Sequence, residues 1–139
     1  MRPVVIDTNC LLQIIARKSP YRPIWDAFLA SKYQLCVSNE ILDEYQEILG
    51  QQITPSIAEN VVLLILNRPN VLLVDPHFHM ELIKDDPDDN KFVDCAFAAG
   101  ADYLVSEDSH FKVLDQIAFP QLNLVTLDEF MNTRLIREQ

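Results

Sequence analysis

Five short apolar runs punctuate the chain: VVI at 4–6, LCV at 35–37, VLLV at 71–74, YLV at 103–105 and LV at 124–125. Each is short and bounded by polar residues, which suits parallel strands covered on both faces. Parallel neighbours need long crossovers, and the intervening stretches supply helix-like patterns at roughly 9–17, 21–31, 39–49, 55–67, 89–99 and 127–136. Ser38 is a natural N-cap for the third, and Pro55 behind Thr54 a natural start for the fourth. The run VVLLIL at 61–66 fits strand or helix by periodicity, and Pro55 with the Asn67-Arg68-Pro69 stop favours helix. The two glycines, Gly50 and Gly100, each follow a helix-like segment and are expected to cap it. Strands alternating with helices predict an α/β fold around a mainly parallel sheet.

At 139 residues the chain is expected to form a single domain, residues 1–139, large enough for one core. No apolar run approaches the roughly 20 residues that span a bilayer, and no leader pattern opens the sequence, so a cytoplasmic location is expected. Cys10, Cys36 and Cys95 are an odd number, widely spaced among apolar neighbours, and read as reduced core thiols. A net charge of −10, from 21 acidic and 11 basic residues, argues against passive binding of phosphate backbones. It leaves open a site where metal ions offset clustered carboxylates.

The acids fall where an α/β sheet puts its ligands, beyond the carboxyl ends of the strands. Asp7 follows VVI directly. Asp108 lies three residues beyond Val105 in YLVSED. Asp88 or Asp89 opens the helix leading to YLV, and Glu40, Asp43, Glu44 and Glu47 lie on the helix after LCV. Taken singly, each has a plain alternative: an Asp at a helix start is most often a cap worth about 1 kcal/mol, and a Glu on an amphipathic helix usually faces water. Four converging at one sheet edge are harder to dismiss, because packed like charges repel unless a cation such as Mg²⁺ or Mn²⁺ holds them.

IDTN after the first strand, SNEILDEYQEIL, DPDDNKFVDCAFAAGADYLVSED and the following HF resemble the PIN-domain family, over Val4 to about Phe130. The nearest resemblance is to its bacterial branch, described as toxins of toxin–antitoxin pairs. That resemblance implies a three-layer α/β/α sandwich with an about five-stranded sheet. It also implies a Mg²⁺- or Mn²⁺-dependent ribonuclease that hydrolyses RNA to leave a 5′-phosphate. By position the catalytic and metal-binding acids are Asp7, Glu44, Asp89 and Asp108, with Asn9 and Ser106 as supporting polar residues. Asp7 and Asp108 are expected to be direct ligands, and Glu44 and Asp89 to act through water or a second ion. Asp86, Asp88 and Asp94 lie close enough to Asp89 that a shift of register exchanges them, although helical geometry turns Asp94 away. His110 lies near Asp108, at a position where the family pattern often carries an acid. The implied partners are RNA, a small antitoxin protein and a second copy of the chain, with no membrane.

Other signals carry less. The Asp7 start is similar to aspartyl phosphotransferases, but Asn9 stands where those enzymes want a second acid. His77-x-His79 puts two imidazoles on one side of an extended segment, with no third ligand to complete a metal site. DDPDDN lacks the Gly and Glu of a calcium loop, with Lys91 and Phe97 in their places. Arg17, Lys18, Arg22, Lys91 and Lys112 are the bases available to an RNA backbone. A catalytically silent PIN fold that only binds a partner is the remaining alternative, and no missing acid favours it.

Overall fold

The computed structural model describes residues 1–77, 79, 81, 83, 87–116 and 122–137, with the side chains of residues 87 and 113–116 outside that description. Its five strands are β1 (Pro3–Ile6), β2 (Gln34–Val37), β3 (Val71–Leu73), β4 (Tyr103–Val105) and β5 (Leu124–Val125). They form one sheet in the order β3-β2-β1-β4-β5, every pair parallel. The two-sided burial expected of all five runs holds only in the three central strands, where Val4, Val5, Ile6, Leu35, Cys36, Val37, Leu104 and Val105 are at most 1% exposed. The edge strands β3 and β5 are covered less, and Leu73 is 52% exposed.

Between β1 and β2 run α1 (Thr8–Ile15) and α2 (Arg22–Leu29). Between β2 and β3 run α3 (Asn39–Gln52) and α4 (Pro55–Asn67). A short 3₁₀ turn, Pro87–Asp89, leads into α5 (Asn90–Ala99) before β4, and a 3₁₀ segment, Ser109–Gln116, follows β4. The chain ends in α6 (Leu127–Met131) and α7 (Arg134–Arg137). Strand order grows outward from β1 in both directions. Right-handed crossovers therefore place α1 to α4 on one face and α5 on the other, giving the expected three-layer α/β/α sandwich.

Local chemistry sets the element ends. The Ser38 hydroxyl accepts from the Ile41 amide and starts α3, and the Thr54 hydroxyl accepts from Ile57 ahead of Pro55 in α4. Gly100 closes α5 at φ +62°, a left-handed conformation that disfavours a side chain. Gly50 departs from expectation: it lies inside α3, which runs two residues further and ends at Ile53. The segment expected as one helix at 127–136 breaks at Asn132-Thr133. There the Thr133 hydroxyl bonds the Phe130 carbonyl at 2.7 Å, offering the backbone a local alternative to helix.

Three sets of side-chain hydrogen bonds fix the helices and loops around the sheet. Buried Tyr45 on α3 donates its hydroxyl to the Ile6 carbonyl at the end of β1. Buried Asn70 donates its amide to the Phe28 and Tyr33 carbonyls, both at 2.9 Å, holding the approach to β3 against α2 and β2. Asn90 exchanges two hydrogen bonds with the backbone of Ile83, at 2.8 and 2.9 Å, which anchors the start of α5. The three cysteines are buried free thiols. Loss of hydration raises the thiol pKa of all three, Cys36 to about 11 and Cys95 to about 12.

Candidate active site at the carboxyl edge of the sheet

The direction of growth of the sheet reverses between β1 and β4, and there the chain places its acids. β1 ends in Asp7, whose amide still bonds to the Val105 carbonyl of β4 at 3.0 Å. Asp7 is the N-cap of α1: one carboxylate oxygen accepts from the Cys10 amide at 2.8 Å, and the other from the Ser106 hydroxyl. It is 6% exposed. Desolvation raises its pKa above the ordinary carboxylate value, and the nearby charge of Asp108 adds to that, while the Ser106 and Cys10 hydrogen bonds oppose it. The capping and active-site roles are thus compatible in one side chain.

Ser106, 3% exposed, links the two strand ends, donating to Asp7 and accepting from the Asp108 amide at 3.0 Å. Asp108 accepts in turn from the His110 amide at 2.9 Å, so one tight turn fixes its carboxylate. The adjacent Glu107 is directed elsewhere: its carboxylate accepts from the Leu127 amide at 2.8 Å, at the N-terminus of α6.

Glu44 reaches the same edge because Tyr45, the next residue, pins α3 to β1. One Glu44 oxygen accepts from the Thr8 hydroxyl, and the other pairs with the Lys91 ammonium at 2.8 Å. The pair is well shielded, at 17% and 22% side-chain exposure. Glu40, Asp43 and Glu47, the other acids of α3, are exposed. Thr8 and the Lys91–Glu44 pairing were not singled out from sequence. Thr8 lies next to Asp7 in IDTN, whereas the pairing depends on how α5 packs against α3.

Asp89 precedes α5, yet its side chain makes no capping bond there. It lies instead with Asp108 and His110. The His110 Nδ1 is 3.3 Å from an Asp108 oxygen and 3.7 Å from an Asp89 oxygen, and one donor atom from each residue lies within 4.8 Å of the other two. A cavity of about 220 Å³ is lined by Asp7, Asn9, Glu44, Asp88, Asp89 and Asp108, and a second of about 520 Å³ adjoins it at Asp7, Asn9 and Asp108. All four acids of the expected quartet therefore meet at one pocket. Asn9, exposed on the first turn of α1, faces it too.

Asp94 is buried at 6% exposure and faces the exposed His79, whose Nδ1 lies at 3.2 Å. Both line a neighbouring pocket with Glu40, Glu81 and Asp88, which meets the one shared by the quartet at Asp88. Asp86 lies outside the described residues. Of the bases, Lys91 is committed to Glu44, Arg22 bonds the Ile15 carbonyl and Asp26, and Arg17, Lys18 and Lys112 are exposed.

An oxygen-rich set of carboxylates with one imidazole suits a divalent cation, and Asp89, Asp108 and His110 already hold their donor atoms close enough to share one. Asp7 stands beside them through Ser106. No helix among the described residues is long and apolar enough to cross a membrane.

Solved structures of similar fold include VapBC2 from Rickettsia felis bound to a DNA fragment from their promoter. That chain is 18% identical at TM-score 0.61, with 89% of this chain and 98% of that one covered. DNA-bound VapBC from Salmonella typhimurium is 19% identical at TM-score 0.61, covering 91% and 99%. The PIN domain endonuclease Utp24 is 18% identical at TM-score 0.52, covering 89% and 84%. No curated protein sequence matches. Residues 3–110 match the PIN domain as a sequence family, a span that takes in all four acids. The chain belongs to the PIN-domain family.

Proposed function

We propose that residues 1–139 act as one PIN-type domain, a divalent-metal-dependent ribonuclease that hydrolyses RNA phosphodiester bonds and serves as the toxin of a toxin–antitoxin pair. The observation that carries this is the meeting of Asp7, Glu44, Asp89 and Asp108, from four separate stretches of chain, at one small pocket over the switch point of the sheet. A cluster of acids is costly unless a cation repays the repulsion, and Mg²⁺ or Mn²⁺ fits oxygen ligands of this kind.

Asp89 and Asp108, with Asp7 beside them, would hold the ion, and Glu44 would complete the acidic wall. When bound, the ion neutralises charge on the scissile phosphate and acidifies water for attack. The protein contributes orientation. Cys10 and Ser106 fix both oxygens of Asp7, and Thr8 and Lys91 fix both oxygens of Glu44, so neither carboxylate has to reorganise when substrate arrives. Lys91 offsets the charge of Glu44, which lowers the repulsion an approaching RNA phosphate meets.

The antitoxin reading draws support from the VapBC complexes of similar fold and from an open groove of about 570 Å³ on the helical face. Leu12, Ile15, Trp25, Ile57 and Leu64 line it, and Arg17 and Arg22 lie at its rim. Part of the VVLLIL run is exposed as well, at Leu63, Leu64 and Leu66, which suits a homodimer or another protein partner.

Cleavage of single-stranded RNA with Mn²⁺ or Mg²⁺ tests the activity directly. The wild-type chain should cut and the Asp7→Asn variant should not; full activity in that variant would sink the quartet mechanism. Hydrolysis of a simple phosphomonoester without RNA cleavage would instead favour aspartyl-type phosphatase chemistry. Cleavage by neither route, with no divalent binding in calorimetry, would favour a silent binding module.

A further inference from the structure

The quartet leaves His110 unused, although its imidazole lies between two of the four acids. We propose that His110 is a nitrogen ligand of the divalent ion, and that it biases the site toward Mn²⁺ and later transition ions over Mg²⁺. The inference rests on the metal-dependent reading above and deepens it by naming the ion class.

The geometry is that of a ligand set rather than of a chance neighbour. Around a six-coordinate ion with bonds of roughly 2.1 Å, adjacent donor atoms lie about 3 Å apart and opposite ones about 4.2 Å. The His110 Nδ1 lies 3.3 Å from Asp108 and 3.7 Å from Asp89, and all three donor atoms fall within 4.8 Å of one another. Small side-chain adjustments would seat one ion among them. The backbone prepares this placement, since the His110 amide bonds the Asp108 carboxylate at 2.9 Å and one turn therefore carries both donors. Asp89 comes from a separate stretch of chain, the turn before α5, whose start is anchored by the Asn90–Ile83 pair.

Donor chemistry then decides the metal. Mg²⁺ is a hard ion that favours oxygen and keeps several waters, whereas imidazole suits the transition ions in the order of the Irving–Williams series. A carboxylate at position 110 would keep the set all oxygen. A histidine there converts it to a mixed set that Mn²⁺, Co²⁺ or Zn²⁺ accept at little cost. The plain alternative is that His110, when protonated, serves only as a counter-charge to the two acids, which the experiment below separates.

Mn²⁺ and Mg²⁺ binding by calorimetry should be combined with pulsed electron paramagnetic resonance of the Mn²⁺-loaded full chain. Wild type should show a histidine ¹⁴N coupling on Mn²⁺. His110→Ala should lose that coupling, which excludes His79 as its source. It should also lose roughly 10–100-fold in Mn²⁺ affinity, as metal-site substitutions commonly do, with Mg²⁺ changed less than about threefold. His110→Asp should keep tight binding without the nitrogen signal and narrow the Mn²⁺/Mg²⁺ ratio. Mn²⁺ bound to wild type without nitrogen coupling overturns the ligand assignment alone, and that measurement needs no variant to fold. Absence of Mn²⁺ binding overturns both this inference and the metal-dependent reading.

Discussion

The two halves of the acidic pocket are built differently. Asp7 and Glu44 have their oxygens occupied by the protein itself: Cys10 and Ser106 hold the first, Thr8 and Lys91 the second. Asp108 is also held by a backbone bond, from the His110 amide, and it converges with Asp89 on the His110 imidazole. The first half is a pre-set wall, held in place without a cation. The second holds its donor atoms close enough to share one. On the metal-dependent reading proposed above, the two carboxylate pairs divide orientation from ion capture, which an acid count alone would not reveal.

The half built from Asp89 and Asp108 should give the largest effects when broken. Asp108→Asn and Asp89→Asn each leave the sheet and its caps intact but remove a charge from the ion's place. Metal-dependent RNA cleavage should fall by roughly 10²–10³-fold or more, comparable to loss of one main electrostatic contact in other active sites. The rise in melting temperature caused by Mn²⁺ should disappear with it. Retention of that rise in Asp108→Asn would move the ion to the other half.

The wall half should respond with opposite signs in activity and stability. Burial raises the pKa of Asp7, so its favourable contribution to folding is fully present below its unfolded value and is lost as pH rises through its folded value. Without metal, the ionised Asp7 is therefore a cost at neutral pH. Asp7→Asn cannot ionise and keeps a carbonyl to accept from Cys10. It should be at least as stable as wild type at pH 7 in chelator, and should lack wild type's loss of stability on going from acid to neutral pH. Thermal melts across pH in chelator check this. A variant clearly less stable than wild type at neutral pH would show that the hydrogen bonds of Asp7 outweigh its desolvation.

Lys91 offers a finer test of the same wall. Lys91→Met removes the partner of Glu44, and the pair's shielding places its worth between a surface and a buried ion pair, at about 1–2 kcal/mol of stability. The site becomes more negative, so divalent affinity should rise a few-fold in calorimetry. If Lys91 also meets RNA, the salt slope of binding should fall by about 0.7, as for one single-strand phosphate contact. Weaker divalent binding in this variant would show that Glu44 needs Lys91 for its orientation.

Much of this was legible in advance, and the boundary has physical causes. Parallel strands announce themselves as short apolar runs, although the runs do not tell the buried central strands from the less covered edge strands β3 and β5. Ser38, Thr54 and Gly100 carry their capping chemistry in their side chains or lack of one. The placement of the acids follows from the parallel sheet, because strand ends share an edge. What escaped notice depends on contacts between elements. That Glu107 turns to α6 while Asp108 stays, that Lys91 meets Glu44, and that His110 lies between two acids are all set by packing and loop turns. Asp94, five residues beyond Asp89, was turned away as helix geometry requires, toward His79. Gly50 misled because a glycine after a periodic stretch looks like a stop, and nothing local records that Ile53 ends the helix instead.

Gly50 also supplies the smallest expected effect and a control for the others. It lies six residues beyond Glu44 on α3, about 9 Å along the axis. A methyl group there would meet the Pro55 Cα at 3.8 Å and the Ala58 Cβ at 3.9 Å, ordinary contact with α4. Gly50→Ala should therefore remove only the entropic penalty of glycine within a helix and stabilise the protein by about 0.5–1 kcal/mol. Denaturant titration reads that gain, and metal affinity and cleavage should stay at wild-type levels. If a stabilised α3 instead changed cleavage, the position of Glu44 would depend on motion of its helix, and the wall half would no longer count as pre-set.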